Sequence, residues 1–289
     1  MNLIILKYII AYSNIKKENV LMRISLPKGV IRKVQRAVVE FDLLAKGDKV
    51  LIGLSGGKDS TFLLYALSVL TKHLPFPVEL AAMTIDLGFK EKNEMDFSPL
   101  EKVCDTLDIP YNVQRAELAD DILNNPTQNP CARCSYFRRA IIHNYAKNNG
   151  YNKVAFAHHY DDAVETFLMS ILYSGQVNTF VPKTYLDKTG VTVIRPLVYM
   201  MEKDIMGIAN KLGIEAIPSP CPLDGYTKRA EAKQLIKDLR KKDRYVFEHL
   251  AAAMREGRRS QLWPPEFTKE EIRERTKKFW YGENQLNNS

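Results

Sequence analysis

The 289-residue chain has no long apolar run and only four cysteines, and both shortages narrow what it can be. Nowhere do ~18 uncharged apolar residues stand together, the length a helix needs to cross a bilayer core, so no membrane span is expected. Four cysteines in so long a chain, two of them in one C-x-x-C, do not make the disulfide framework of a small secreted domain. They read as metal or redox chemistry, and the expected location is the cytoplasm. The opening "MNLIILKYIIAY" lacks a basic start, Lys7 interrupts it, and no small-residue cleavage site follows. Residues 1–25 are therefore read as an extension outside the core, with Met22 as an alternative start. Internal repeats and low-complexity tracts are also missing.

What is present is an ordinary globular balance of 45% hydrophobic and 26% charged residues, enough to bury a core without staples. The net charge of +8 favours polyanionic partners without proving one. Lys28, Arg32, Lys33 and Arg36 form one basic cluster. Lys228, Arg229, Arg240, Lys241, Lys242, Arg258 and Arg259 form another.

Apolar periodicity alternates between strand and helix along most of the chain. "VIRKVQRAVVEFDLL" has helical spacing, "KVLIGLS" is a buried strand, and a helix follows Ser60. "VELAAMTIDL" predicts a strand, "SPLEKVCDTL" a helix capped by Ser98, and "YNVQ" a short strand. "CSYFRRAIIHNYAKNNG" predicts a helix ending at Gly150, "KVAFAHH" a strand, and "DDAVETFLMSILYSG" a helix ending near Gly175. "VTVIRPL", "EKDIMGIANKLG" and "IEAIPS" complete the pattern as strand, helix and a last short strand. Such alternation implies an α/β fold with a mainly parallel sheet and helices on both faces. Residues 26–226 are expected to form this domain and residues 227–289 a basic helical region appended to it. Ligands of such sheets sit beyond the carboxyl ends of the strands. There the sequence places Ser55 to Ser60, Asp86, and His158 to Asp162.

The first of these, "LSGGKDS" (Leu54 to Ser60), joins a strand to a helix. Glycines let backbone amides approach an anion, and the helix start adds positive potential, so the corner suits phosphate. It is not a Walker A loop: Ile52 stands where the first glycine belongs, and Asp59 follows Lys58 where Ser or Thr is required. An aspartate inside a phosphate loop makes sense if it holds Mg²⁺.

Cys131 and Cys134 begin a helix, where the terminal potential favours thiolates. Cys221 follows the last expected strand. Cys104 falls on the apolar stripe of its helix and reads as a buried small hydrophobe. Three thiolates suit a soft metal site: a [4Fe–4S] cluster with one iron open, a zinc completed by histidine, or a redox pair resolved by Cys221. Arg138 stands one turn after Cys134 on the same face, placed to neutralise negative charge.

SGGKDS resembles the loop of the PP-loop ATP pyrophosphatase superfamily, whose fold is of the adenine nucleotide alpha hydrolase type. The further order of C-x-x-C then "RR", "HHYDDAVET", "VIRPL" and a cysteine before Gly225 resembles the TtcA family, the tRNA 2-thiocytidine synthetases. One departure is Asp224, where many members carry a second cysteine. The resemblance implies ATP-dependent tRNA thiolation, with adenylation of a base carbonyl, C2 of a cytidine, followed by sulfur transfer through a [4Fe–4S] cluster. It implies ATP, Mg²⁺ and the cluster as cofactors, and tRNA and a sulfur donor such as a cysteine desulfurase or free sulfide as partners. The family often forms homodimers, and one is an open expectation here. Leu54, Ser55, Gly56, Gly57, Lys58 and Ser60 would hold the nucleotide, Asp59 would place Mg²⁺, and Ile85 at the next strand end would meet the adenosine. His158 would line the nucleotide pocket. Cys131, Cys134 and Cys221 would ligate the cluster, and Lys58, Asp59, Arg138 and Asp161 would serve catalysis. Helix capping is the plain alternative for Asp161 and Asp162. Rival readings are a PP-loop RNA ligase or amidotransferase-like enzyme using an amine, and an iron–sulfur sensor that binds ATP without catalysis.

Overall fold

The computed structural model describes residues 26–89, 95–124, 129–255 and 268–281. The expected extension at residues 1–25, and Arg258 and Arg259 of the second basic cluster, lie outside the described residues. Chain order runs α1 (Lys28–Glu40), β1 (Lys49–Gly53), α2 (Lys58–Thr71), β2 (Glu79–Asp86), α3 (Ser98–Leu107) and β3 (Tyr111–Arg115). It continues with α4 (Ala119–Leu123), α5 (Pro130–Asn148), β4 (Lys153–Ala155), α6 (Tyr160–Ser174), β5 (Lys183–Leu186) and β6 (Val191–Ile194). The last described elements are α7 (Glu202–Lys211), α8 (Lys228–Lys242), α9 (Val246–Ala253) and α10 (Lys269–Tyr281). None of the described helices is long and apolar enough to cross a membrane.

The six strands lie in the order β3-β2-β1-β4-β6-β5. All pairings are parallel except β5 with β6. The strand order reverses between β1 and β4, which opens a crevice at their carboxyl ends.

Alternating strand residues divide the core. Val50, Ile52, Ala82 and Ile194 pack with α1, α2, α3 and α7 on one face. Leu51, Met83, Val154 and Val191 pack against Ile142 and Ala146 of α5 on the other. Helix α2 is buried on nearly every side, with Phe62, Leu63, Leu64, Ala66 and Leu67 fully enclosed, because α1, α3 and α7 surround it. Cys104 sits in this core with 0% exposure. At the amino ends of the two central strands a buried pair, Lys153 to Asp48 at 2.7 Å, ties β4 to the approach of β1.

Three local expectations are corrected. "IEAIPS" forms no strand: the amide of Ile217 bonds the Gly56 carbonyl at 2.9 Å, so this segment is drawn to the glycine loop instead of a sheet partner. "KVAFAHH" is a strand only over Lys153–Ala155, because the chain after it turns into the capped start of α6. Ser98 is the first helical residue of α3, not its cap; the Asp96 carboxylate accepts from its amide at 2.9 Å. The antiparallel edge strand β5 has no counterpart in the sequence reading. Helices α8 and α9 pack on α6 through Val164, Leu168, Ala232, Ile236, Phe247 and Ala251.

Candidate active site at the strand ends

A cavity of about 640 Å³ lies over the carboxyl ends of β1, β2, β4 and β6. Between β1 and α2 the chain turns at Gly56, whose φ of +83° is strained for any other residue. A Cβ there would also stand 3.2 Å from Ile217. The loop is braced from within. Ser60 Oγ donates to the Gly57 carbonyl at 2.9 Å, accepts from the Ser55 amide at 3.1 Å and lies 3.0 Å from Ser55 Oγ. From below, Thr84 Oγ1 donates to the Leu54 carbonyl at 2.6 Å, and the Tyr111 hydroxyl donates to Thr84 at 2.8 Å. Gly53 admits the Phe156 ring to the cavity floor, since a Cβ would stand 2.9 Å from it.

Leu54, Ser55, Gly57, Asp59, Ser60 and Ile85 all line this cavity. Asp59 projects from the first turn of α2, and its Oδ1 is buried without a hydrogen-bond partner. Burial raises its carboxyl above the ordinary range, with His159 and Lys58 opposing. A buried acceptor in need of a cation fits the Mg²⁺ role. Gly56 and Lys58 do not line the cavity. Lys58 Nζ instead lies 3.5 Å from Glu202 Oε1, a carboxylate shared with Lys233 at 2.6 Å.

Asp161 and Asp162 diverge. Asp161 Oδ2 accepts from the Glu202 amide at 2.8 Å and so caps α7. Asp162 lines the cavity, closes a capping box with His159, and receives Arg229 at 3.2 Å. Arg229 also reaches the buried Glu165 at 3.4 Å, which clamps the start of α8 onto α6.

Cys131, Cys134 and Cys221 line the same cavity. Asn129 caps α5 by accepting from the Cys131 amide at 2.9 Å, with Pro130 in the first turn. Arg138 Nε donates to Cys134 Sγ at 3.4 Å, as their spacing of four predicts. Desolvation at the cavity mouth, then the sulfurs of Cys221 and Cys134, push the Cys131 thiol upward. This opposes the helix-start effect read from the sequence. Among the described residues no three His, Cys, Asp or Glu side chains gather tightly enough to hold a single ion. Three thiol sulfurs lining one cavity are a soft donor set of the kind an iron–sulfur group takes. Asp224 is exposed and off the cavity, so its carboxylate takes no place among them.

Several cavity residues had no signal in the sequence: Phe156, Phe180, Arg139 and Arg195. Arg195 was visible only as part of "VIRPL". The basic flanks are more neutral than their charge count implies. Lys33 pairs with Asp204 at 2.6 Å, Arg36 with Glu40 at 2.8 Å and Lys241 with Asp238 at 2.7 Å.

His158 also lines the cavity; burial drives its pKa down to about 4, and its Nδ1 has no partner. The unfolded chain, with an ordinary value near 6.5, binds the proton first. Stability contributed by neutral His158 is therefore complete above about pH 6.5 and is lost as pH falls toward 4. Urea titrations across that window should show a loss of stability that is smaller in His158→Gln. An equal loss in both proteins would assign the effect to other groups.

Comparison with known proteins agrees with this geometry. Residues 27–223 match the model of the PP-loop domain family. A tRNA-cytidine(32) 2-sulfurtransferase 2 of Francisella tularensis subsp. tularensis is 35% identical over 209 residues, covering 71% of this chain and 82% of that protein. A tRNA-cytidine(32) 2-sulfurtransferase of Stenotrophomonas maltophilia is 34% identical over 244 residues, covering 82% of this chain and 78% of its own. Among solved structures, the U34-tRNA thiolase NcsA from Methanococcus maripaludis with its [4Fe–4S] cluster superposes with a TM-score of 0.65 at 26% identity. That match covers 78% of this chain and 77% of the thiolase.

Proposed function

The chain belongs to the PP-loop domain family and, within it, to the family of the tRNA-cytidine(32) 2-sulfurtransferases, and on that premise we propose that it is an ATP-dependent tRNA sulfurtransferase acting on C2 of a cytidine. The observation that carries this reading is the convergence of a phosphate-type glycine loop and three cysteines on one cavity. An amine-using ligase has no use for the three sulfurs.

The reaction has two displacements. The base carbonyl oxygen attacks the α-phosphorus of ATP, the α–β phosphoanhydride bond breaks, and pyrophosphate leaves. A sulfur nucleophile then attacks C2, the C2–O bond breaks, and AMP leaves with the oxygen. In the first step the loop from Ser55 to Ser60 holds the phosphates through its amides and the helix start. Lys58 is 3.5 Å from Glu202 and must leave it to reach them. Asp59 would hold Mg²⁺, which neutralises charge building on the phosphates. Leu54 and Ile85 would wall the nucleoside, while His158, just after β4, lies across the phosphate loop from Ile85.

Cys131, Cys134 and Cys221 would hold a [4Fe–4S] cluster, which supplies an iron without a protein ligand to carry the sulfur. Arg138, bonded to Cys134 Sγ, offers its guanidinium to negative charge at the junction of sulfur and phosphate. Asp161 acts at one remove: by capping α7 it fixes Glu202 and so the resting place of Lys58. The sulfur comes from free sulfide or a cysteine desulfurase, the reaction belongs to the cytoplasm, and a homodimer is the expected assembly. A single-turnover reaction with α-labelled ATP and tRNA but no sulfide should leave label on the RNA, and sulfide should discharge it as AMP. Label that never reaches RNA would refute the adenylation step.

A further inference from the structure

Beyond the phosphate loop the cavity continues into a second wing, on the side of β1 away from Ile85. Phe156, His158, Phe180 and Arg195 line it, from the ends of β4 and β6 and the loop before β5. The nucleoside wall lies on the other side of β1, toward β2, so the two wings flank the phosphate loop.

Arg195 is the unusual member. Its guanidinium lies 5.1 Å over the Phe180 ring. Both of its hydrogen bonds to described residues leave from Nη1, to the Val181 carbonyl at 2.7 Å and Thr184 Oγ1 at 3.4 Å. Nε is buried with no partner. Burial, with Arg139 nearby, pulls its pKa down to about 10, and among the described residues no carboxylate offsets this. A half-buried guanidinium with a buried, unpartnered Nε gains from a ligand that supplies acceptors. Beside it, the His158 ring stands 5.1 Å from Phe180 and keeps an unpartnered Nδ1.

We propose that this wing receives the target nucleobase, and that Arg195, lying over Phe180, reads the acceptor edge of a cytosine. The assignment rests on the sulfurtransferase reading above. A splayed-out pyrimidine is held by stacking on aromatic and guanidinium planes and read on its Watson–Crick edge. Cytosine offers two neighbouring acceptors there, N3 and O2, which a planar guanidinium fork matches. Uracil carries N3–H in the same place and turns a donor toward a donor. Neutral His158 supplies the acceptor that the exocyclic amino group of cytosine needs. Aromatic walls two strands from β1 suit a base better than a further phosphate.

The test is equilibrium binding of an anticodon stem-loop carrying cytidine, uridine or an abasic site at position 32, with ATP affinity measured alongside. The wild-type protein should prefer cytidine by about tenfold, within the range of one bidentate base contact. Arg195→Gln and Phe180→Leu should both erase that preference while holding ATP within about twofold. Preference retained in Arg195→Gln, or no preference in the wild type, overturns the proposal. So does a tenfold loss of ATP affinity in Arg195→Gln with base preference intact, which would place the guanidinium on phosphate. Cytidine preference without any RNA-linked AMP would instead sink the sulfurtransferase reading and leave the base wing standing.

Discussion

Replacing Cys221 with serine is expected to strip the iron–sulfur group from anaerobically reconstituted protein and to lower tRNA thiolation by at least a hundredfold. The loop that carries Cys221 comes from outside the sheet, and its place is fixed by few contacts. Ile217 is tied to Gly56, the Cys221 amide bonds Ser219 Oγ at 3.3 Å, and the Asp224 amide closes a turn on the Cys221 carbonyl at 3.1 Å. Even partners behind a metal ligand cost about ten- to a hundredfold when removed, so losing a ligand itself should cost more. ATP binding should survive, because Cys221 is remote in sequence from the loop and braces none of its hydroxyls. Cys104→Ser is the control. That thiol is buried among Leu100, Leu107 and the α2 core, and burial drives its pKa up to about 12, so it is inert. A serine there buries a hydroxyl and should lower stability by about 1–3 kcal/mol while iron stays bound. Iron and sulfide quantitation with optical spectra distinguishes the two. Equal iron loss in both variants would remove Cys221 from the ligand set.

Asp59→Asn should lower tRNA-dependent AMP formation by roughly 10²–10⁴-fold, the size expected when a metal's charge stabilisation of several kcal/mol is lost. The same variant should unfold at an equal or higher temperature than wild type. Asp59 keeps one oxygen buried and unpartnered, and burial holds its carboxyl above the usual range. An amide of the same shape removes that buried charge. Activity lost with stability kept is the mark of a group strained for function. Activity and stability falling together would mean a structural role. Cluster absorbance should be unchanged in Asp59→Asn.

The parts legible in the sequence are those written locally. SGGKDS announces a turn between a strand and a helix, and the structure has β1 end at Gly53 and α2 begin at Lys58. Cys134 and Arg138 meet because a spacing of four puts them on one helix face. Of the two aspartates the sequence reading gave the catalytic role to Asp161, and the cavity receives Asp162 instead. Successive helical residues turn by about 100°, so one of two neighbours faces the cavity and the sequence does not say which. The fold turns Asp162 inward and gives Asp161 to α7. Arg195 was hidden because its meaning comes from its place over Phe180, a matter of tertiary placement. The mistaken strand at "IEAIPS" has the same origin. An apolar run alternates well enough for a strand, yet its amide is claimed by the glycine loop.

The most direct test of the sulfurtransferase reading is nucleoside analysis by mass spectrometry of tRNA incubated anaerobically with reconstituted protein, ATP, Mg²⁺ and sulfide. The account predicts 2-thiocytidine that requires ATP and is missing with Cys221→Ser or Asp59→Asn protein. Thiocytidine formed equally well without ATP, or AMP and pyrophosphate released with an amine and never with sulfide joined to the base, would contradict it.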